Sequence, residues 1–222
     1  MTNELSNLNM NLISPTLTSD DITSVATSSE YLKRLQLMGS NSDATKKGIV
    51  GMGVYALVTD KETMKDLGNQ IDVLVCSMRV KAMQITDDNE ITNVYDPKDA
   101  EFTRIRETSS DSNSGCMCGL DFLLWLPTEN QFATFYMYSK SARRVAPNLR
   151  LKMNEETNTP GPATLGVKLV SNKKYSWHVS VIQDCTTPFD FPDAETFIKA
   201  ITKFQNPPKN EVETVEEDNR DR

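Results

Sequence analysis

Residues 119–150 place the tightest constraint on how this chain can fold. Gly119 to Pro127 reads GLDFLLWLP, a nearly unbroken apolar run that ends at a proline. Thr128, Glu129 and Asn130 follow, polar and few enough to form a hairpin loop. Gln131 to Ser139 then alternates. Phe132, Thr134, Tyr136, Tyr138 and Lys140 share one face of a strand, and Ala133, Phe135, Met137 and Ser139 share the other, because side chains repeat every second residue. The second face reads as core. The first carries rings and runs into Lys140, Arg143 and Arg144.

The rest of the chain reads as further short strands around this hairpin. Tyr31 to Met38 fits a strand or a short helix, since so short a run has no decisive period. Gly39 to Gly48 is polar and turn-like, and Val54 to Val58 is a strand. Gly48, Gly51 and Gly53 do not have P-loop or dinucleotide spacing, so they read as turn glycines. Asp60 to Asn69 is a short excursion. Ile71 to Ile85 is a long strand, apolar on both faces at its start, from which Ser77, Arg79 and Lys81 emerge together on one face. Strands that begin buried and end exposed often curl around barrels. Ile91 to Tyr95 is its hairpin partner, ended by Asp96-Pro97. Ala100 to Glu107 is a short helix or turn. Ser141 to Leu151 is a helical turn limited by Pro147. Thr164 to Ser171 and Tyr175 to Gln183 are strands joined by a basic turn. Asp193 is the expected N-cap of a helix whose apolar face is Phe197, Ile198, Ile201 and Phe204.

Both ends differ from this middle. Fifteen of residues 1–29 are Ser, Thr or Asn, which suits a flexible arm, and residues 208–222 suit a flexible acidic tail. The domain between them, 30–207, is expected to be mainly β, an OB-like small barrel with an appended C-terminal helix and disordered ends.

Charge points in two directions. The net charge is −7 over 222 residues, which taken globally opposes nucleic-acid binding. Yet Gln131 to His178 holds eight Lys or Arg against two Glu, while Asn210 to Asn219 holds five acidic residues and no basic one. The basic middle is interleaved with rings. Arg79, Lys81, Lys140, Arg143, Arg144, Lys173 and Lys174, with Trp125, Tyr136, Tyr138, Tyr175 and Trp177, form the candidate nucleic-acid-binding set. Rings stack on any base and cations neutralise phosphates, so such a set holds single strands without reading sequence. Each ring also has an ordinary reading as core, Trp125 between two leucines above all.

Other chemistry is thinner. Cys116-Met117-Cys118 puts two thiols one residue apart, unlike the two-residue spacer of zinc knuckles; Cys76, Cys185 and His178 are the further donors a metal would need. Asp87 to Glu90 lacks the spacing and central glycine of a calcium loop. With one histidine and no nucleophile elbow, metal-histidine motif or P-loop, a protein without enzymatic activity and without a cofactor is expected. No basic residue precedes Lys33, and no apolar run reaches the ~18 residues of a membrane span, so neither a secretory signal nor a membrane partner is expected.

In plan, a β-rich domain with exposed rings and cations and an acidic C-terminal tail, the chain resembles the single-stranded DNA-binding proteins of tailed bacteriophages, which are OB-fold proteins. The resemblance runs from Glu30 to Arg222. Asp121 to Pro127 (DFLLWLP), Phe132 to Tyr138 (FATFYMY) and Lys173 to Trp177 (KKYSW) have the look of a recurring phage-encoded protein. It implies single-stranded DNA as partner, roles in DNA replication and recombination, phage or host replication proteins and further copies of the chain as candidate partners, and the cytoplasm, that of the host, as location. Many tails in that family end in an aromatic or apolar tip that docks on partners, whereas this one ends Asp218 to Arg222 (DNRDR), which does not suit that docking. The alternative is a virion or assembly protein that uses the Ser/Thr/Asn-rich arm for contacts and binds no nucleic acid.

Overall fold

One strand, β4 (Gln70–Ile85), organises the sheet. Its sixteen residues pair antiparallel with three neighbours: β8 (Gly161–Ser171) along the first part, β6 (Cys116–Leu126) along most of the rest, and β5 (Ile91–Tyr95) at the end. Such sharing requires apolar residues on both faces, and Val73, Leu74, Val75 and Cys76 are all buried. A bulge interrupts the β4–β6 register between Val75 and Ser77. The computed structural model describes residues 32–206 apart from 41, 61–62, 86–90, 112–113, 155–158, 187 and 189–190, so the expected arm (1–29) and tail (208–222) lie outside the described residues.

The central hairpin forms as its alternation requires. β6 and β7 (Gln131–Met137) pair antiparallel across a 3-10 turn, Pro127–Glu129, closed by Asn130 at φ +49°. Asparagine visits that left-handed region at low cost. Beyond β7 the sheet continues through β1 (Lys33–Leu37), which runs parallel to β7, then β2 (Tyr55–Val58) and the short β3 (Met64–Asp66). At the other side β8 pairs with β9 (Ser176–Asp184). The order is β3-β2-β1-β7-β6-β4-β8-β9, with β5 on β4. The protein is mainly β, built on a nine-stranded mixed sheet whose hydrogen-bonded path does not close into a barrel.

Each face of the sheet has a helical cover. On one face Leu35, Tyr55, Val73, Val75, Phe122, Leu124, Phe135, Met137 and Leu165 form the main core under α3 (Lys140–Arg150), which buries Ala146 and Leu149. On the opposite face Leu74, Cys76, Leu123, Trp125 and Phe132 are buried under α4 (Ala194–Gln205) through Ala200 and Phe204. Asp193 caps α4 as expected, accepting the Thr196 N–H at 2.9 Å. Two smaller clusters lie under α1 (Asp43–Lys46) and α2 (Phe102–Thr108).

The sequence reading needs correction at four points. Gly39 to Gly48 contains helix α1, whose Ala44 is buried on Met38 and Val50. The excursion at 60–69 contains strand β3. Pro147 does not limit α3, which runs three residues beyond it; an exposed proline removes one hydrogen bond, and packing of Ala146 and Leu149 outweighs that loss. Phe132 belongs to the second core and not to an open aromatic face. The entry to α3 is held by Ser139, whose hydroxyl accepts the Ala142 N–H at 3.2 Å. Ser139→Ala should lower stability by ~1 kcal/mol in urea denaturation, while Ser139→Asp should restore it.

Candidate nucleic-acid interface

The structure separates the candidate residues into three places. Arg79, Lys81 and Trp125 lie on the α4 side of the sheet, and none offers a free surface. The register sets Arg79 against Asp121, and Asp121 against Tyr136. Asp121 is 1% exposed and is shared by two cations: Arg79 reaches it at 2.9 Å through Nη2 and 3.0 Å through Nε, and Lys81 at 3.3 Å. Arg79 Nη1 also donates to the Phe204 carbonyl, and its guanidinium lies 4.4 Å from the centroid of the Phe204 ring. It therefore caps the carbonyl end of α4, where a cation is favoured. Trp125 is 4% exposed, packed 4.9 Å from Phe132, with Nε1 buried and without a hydrogen-bond partner among the described residues. These three assignments are corrected: two cations serve a buried carboxylate and a helix end, and the ring is core.

The second place is the end of β7 and the start of α3. Tyr136 and Tyr138 have ring centroids 4.7 Å apart and pack against Met83 and Ile85. Tyr136 donates its hydroxyl to the Lys81 carbonyl at 3.1 Å, and the Lys81 ammonium stands 6.0 Å from its ring. Both rings are half-buried. Lys140, Arg143 and Arg144 are exposed in the first turns of α3, which have no acidic residue. A cation at the positive end of a helix dipole is unfavourable, so these three do not serve the stability of α3.

The third place is the tip of the β8–β9 hairpin. Asn172 Oδ1 accepts the N–H groups of Lys174 (2.8 Å) and Tyr175 (2.7 Å), and the Asn172 N–H donates to the Tyr175 carbonyl at 2.8 Å. This fixes the turn and leaves Lys173, Lys174 and Tyr175 exposed, with Trp177 half-buried beside them. The fold does not bring the second and third places together. The hairpin tip projects past Gln70, whereas Tyr136 lies beside Lys81; along β4 these points are roughly 35 Å apart.

The thiols are dispersed. Cys76 faces α4, Cys116 and Cys118 face α2, and His178 packs on Gly53. Cys76, Cys116 and Cys118 are free, and among the described residues no group of three or more His, Cys, Asp or Glu could hold a metal. Burial pushes the Cys76 thiol up to about 12. Burial also raises Cys118, partly opposed by the nearby guanidinium groups of Arg106 and Arg143. A cleft of about 460 Å³ lies between β3, the start of β4 and the β6–β7 turn. Asp66, Asp72 and Glu129 line it, so it repels phosphate. Lys46 and Lys47 escaped the sequence reading because 39–48 reads as a polar turn; the paired lysines before a glycine-rich run were the available signal. Among the described residues no helix is long and apolar enough to cross a membrane. No known family, no curated protein and no solved structure matches this chain.

Proposed function

We propose that this is a non-enzymatic protein that binds single-stranded DNA without reading sequence, protecting single strands in phage-type replication or recombination in the host cytoplasm. The β8–β9 tip carries this reading. Tyr175 is 50% exposed and directly follows Lys173 and Lys174, which make no ion pair among the described residues. An exposed ring beside two exposed cations offers a base its π face and the backbone its counterions. The exposed cations at the start of α3 supply a second contact on the same strand. The OB-like barrel belongs to this proposal too. Its support is the Tyr55 hydroxyl of β2, which donates to the Gly166 carbonyl of β8 at 3.0 Å, so the two halves of the sheet approach each other without sharing a ladder.

A fluorescence titration with oligo-dT tests the reading, with half-buried Trp177 as reporter. Affinity should fall as salt rises. With about 4 phosphates neutralised, the log–log slope should be near −3, from about −0.7 per phosphate on a single strand. Duplex should compete poorly. A flat salt response or equal affinity for duplex would favour the virion or assembly protein instead.

A further inference from the structure

We propose that the β8–β9 tip is one jaw of a two-part site for a short single-stranded nucleic acid, and that residues 46–53 are the other, with Lys46, Lys47, Ile49 and Met52 as binding residues. This rests on the single-strand reading above and extends it to residues outside the basic middle of the chain.

The two segments touch. Gly53 has φ +72°, and its Cα lies so close to the His178 ring that a Cβ would stand 2.7 Å from Cδ2 and Nε2. Only glycine suits both the dihedral and the space. Leu169 is the cross-strand partner of His178, so it shares the face that meets the loop. The loop is also built firmly from beneath. Val50 is buried with Met38, Ala44, Ala56 and Val58. The Gly48 N–H donates to Thr45 O at 3.1 Å, Ile49 N–H to Ala44 O at 2.8 Å, and Gly53 N–H to Met38 O at 2.8 Å. These anchors fix the backbone of the loop, so binding has only side-chain rotamers left to order.

The outward groups have a consistent chemistry. Six large apolar side chains are exposed among the described residues, and four of them belong to these two segments: Ile49 (40%), Met52 (55%), Leu169 (57%) and Tyr175 (50%). Isolated exposed apolar residues need no explanation, but four on two touching segments mark a contact surface. Lys46, Lys47, Lys173 and Lys174 accompany them, all exposed. Across 43–53 and 167–178 the only acidic residue is Asp43, which lies 3.8 Å from Lys46. Asp66 of β3 approaches Gly51 and is engaged by the Gly68 N–H at 2.7 Å. Cations on both jaws, and a phenol ring, a pliable thioether and aliphatic groups exposed on the same two segments, match a chain that alternates phosphates with flat apolar bases.

The test uses the full chain and a fluorescein-labelled dT12 at low salt. Lys46→Glu/Lys47→Glu should weaken binding by about tenfold or more and make the salt slope shallower by about 1.4, two phosphates at about 0.7 each. Met52→Ser should weaken binding several-fold and leave the slope unchanged. Unaltered thermal melts show that both variants are folded, as exposed positions allow. If Lys46→Glu/Lys47→Glu binds like the parent while Lys173→Glu/Lys174→Glu is impaired, the second jaw is refuted and the single-strand reading stands. If the parent protein does not bind dT12, the reading and the inference fall together. Sedimentation with phosphatidylserine–phosphatidylcholine vesicles that depends on Lys46, Lys47 and Met52, without dT12 binding, would make the surface a lipid contact and overturn the proposal.

Discussion

Asp121→Asn is expected to cost ~3–5 kcal/mol of stability, the largest effect of any polar substitution in this protein. Removing the carboxylate charge takes away the counter-ion that the buried Lys81 ammonium and the largely buried Arg79 guanidinium share, and a buried cation that loses its counter-ion is costly. The loss should spread beyond the site. Arg79 joins Asp121 to the Phe204 carbonyl, so the last turn of α4 loses its cation when Arg79 loses its anchor. Urea denaturation gives the magnitude, and amide exchange at Ile201 to Phe204 reports the helix end. The triple change Arg79→Met/Asp121→Leu/Lys81→Met should be far milder than the single one, because a packed apolar replacement has no charge to desolvate. A loss below about 1 kcal/mol for Asp121→Asn would mean that water reaches the cations and that the buried trio is not what holds this face.

Trp125→Ala should cost a further ~3–5 kcal/mol by itself, through lost burial and the cavity left among Leu74, Leu123, Phe132 and Phe204. The protein that remains folded should bind oligo-dT as tightly as the parent. Tyr175→Ala should do the opposite, with little change in the melt and ~1–3 kcal/mol less binding through lost stacking. Trp125→Phe keeps most of the packing and allows the binding comparison if the alanine variant does not fold. Thermal melts and titrations on the same preparations decide the matter. A destabilised Tyr175→Ala with normal binding, beside a stable Trp125→Ala with impaired binding, would reverse the roles of the two rings.

Much of the fold was legible where local rules act alone. The alternation of β7 places Ala133, Phe135 and Met137 in the main core, as read from sequence. The long β4, the β4–β5 and β6–β7 hairpins, the basic turn at Asn172 to Lys174 and the Asp193 cap all follow from periodicity and turn chemistry. What was illegible depends on docking. The apolar stripe of α4 is visible in the sequence, but not that it covers Trp125 and Phe132 and takes Arg79 as its cap. Cation–aromatic runs therefore looked like one surface when part of them is core. The parallel pairing of β1 with β7 joins segments about a hundred residues apart, and no local signal encodes it. Helix α1 has four residues, too few to show a period.

The bulge at Cys76 reaches further than its size suggests. Before it, even-numbered β4 residues such as Leu74 lie on the α4 side of the sheet; after it, odd-numbered ones do, from Ser77, which pairs with Leu123, to Arg79 and Lys81. Parity counted from the sequence puts Arg79 and Lys81 on the side of Val73 and Val75, which is the main core. One supernumerary residue thus works as a frameshift written in space. It keeps the ions out of the hydrocarbon interior while the strand runs on unbroken. Straightening the bulge with Cys76 retained would turn Met78, Val80 and Ala82 to where the charges now stand, whereas deleting Cys76 would let Ser77 follow Val75 opposite Leu123 and leave Arg79 and Lys81 on their present face.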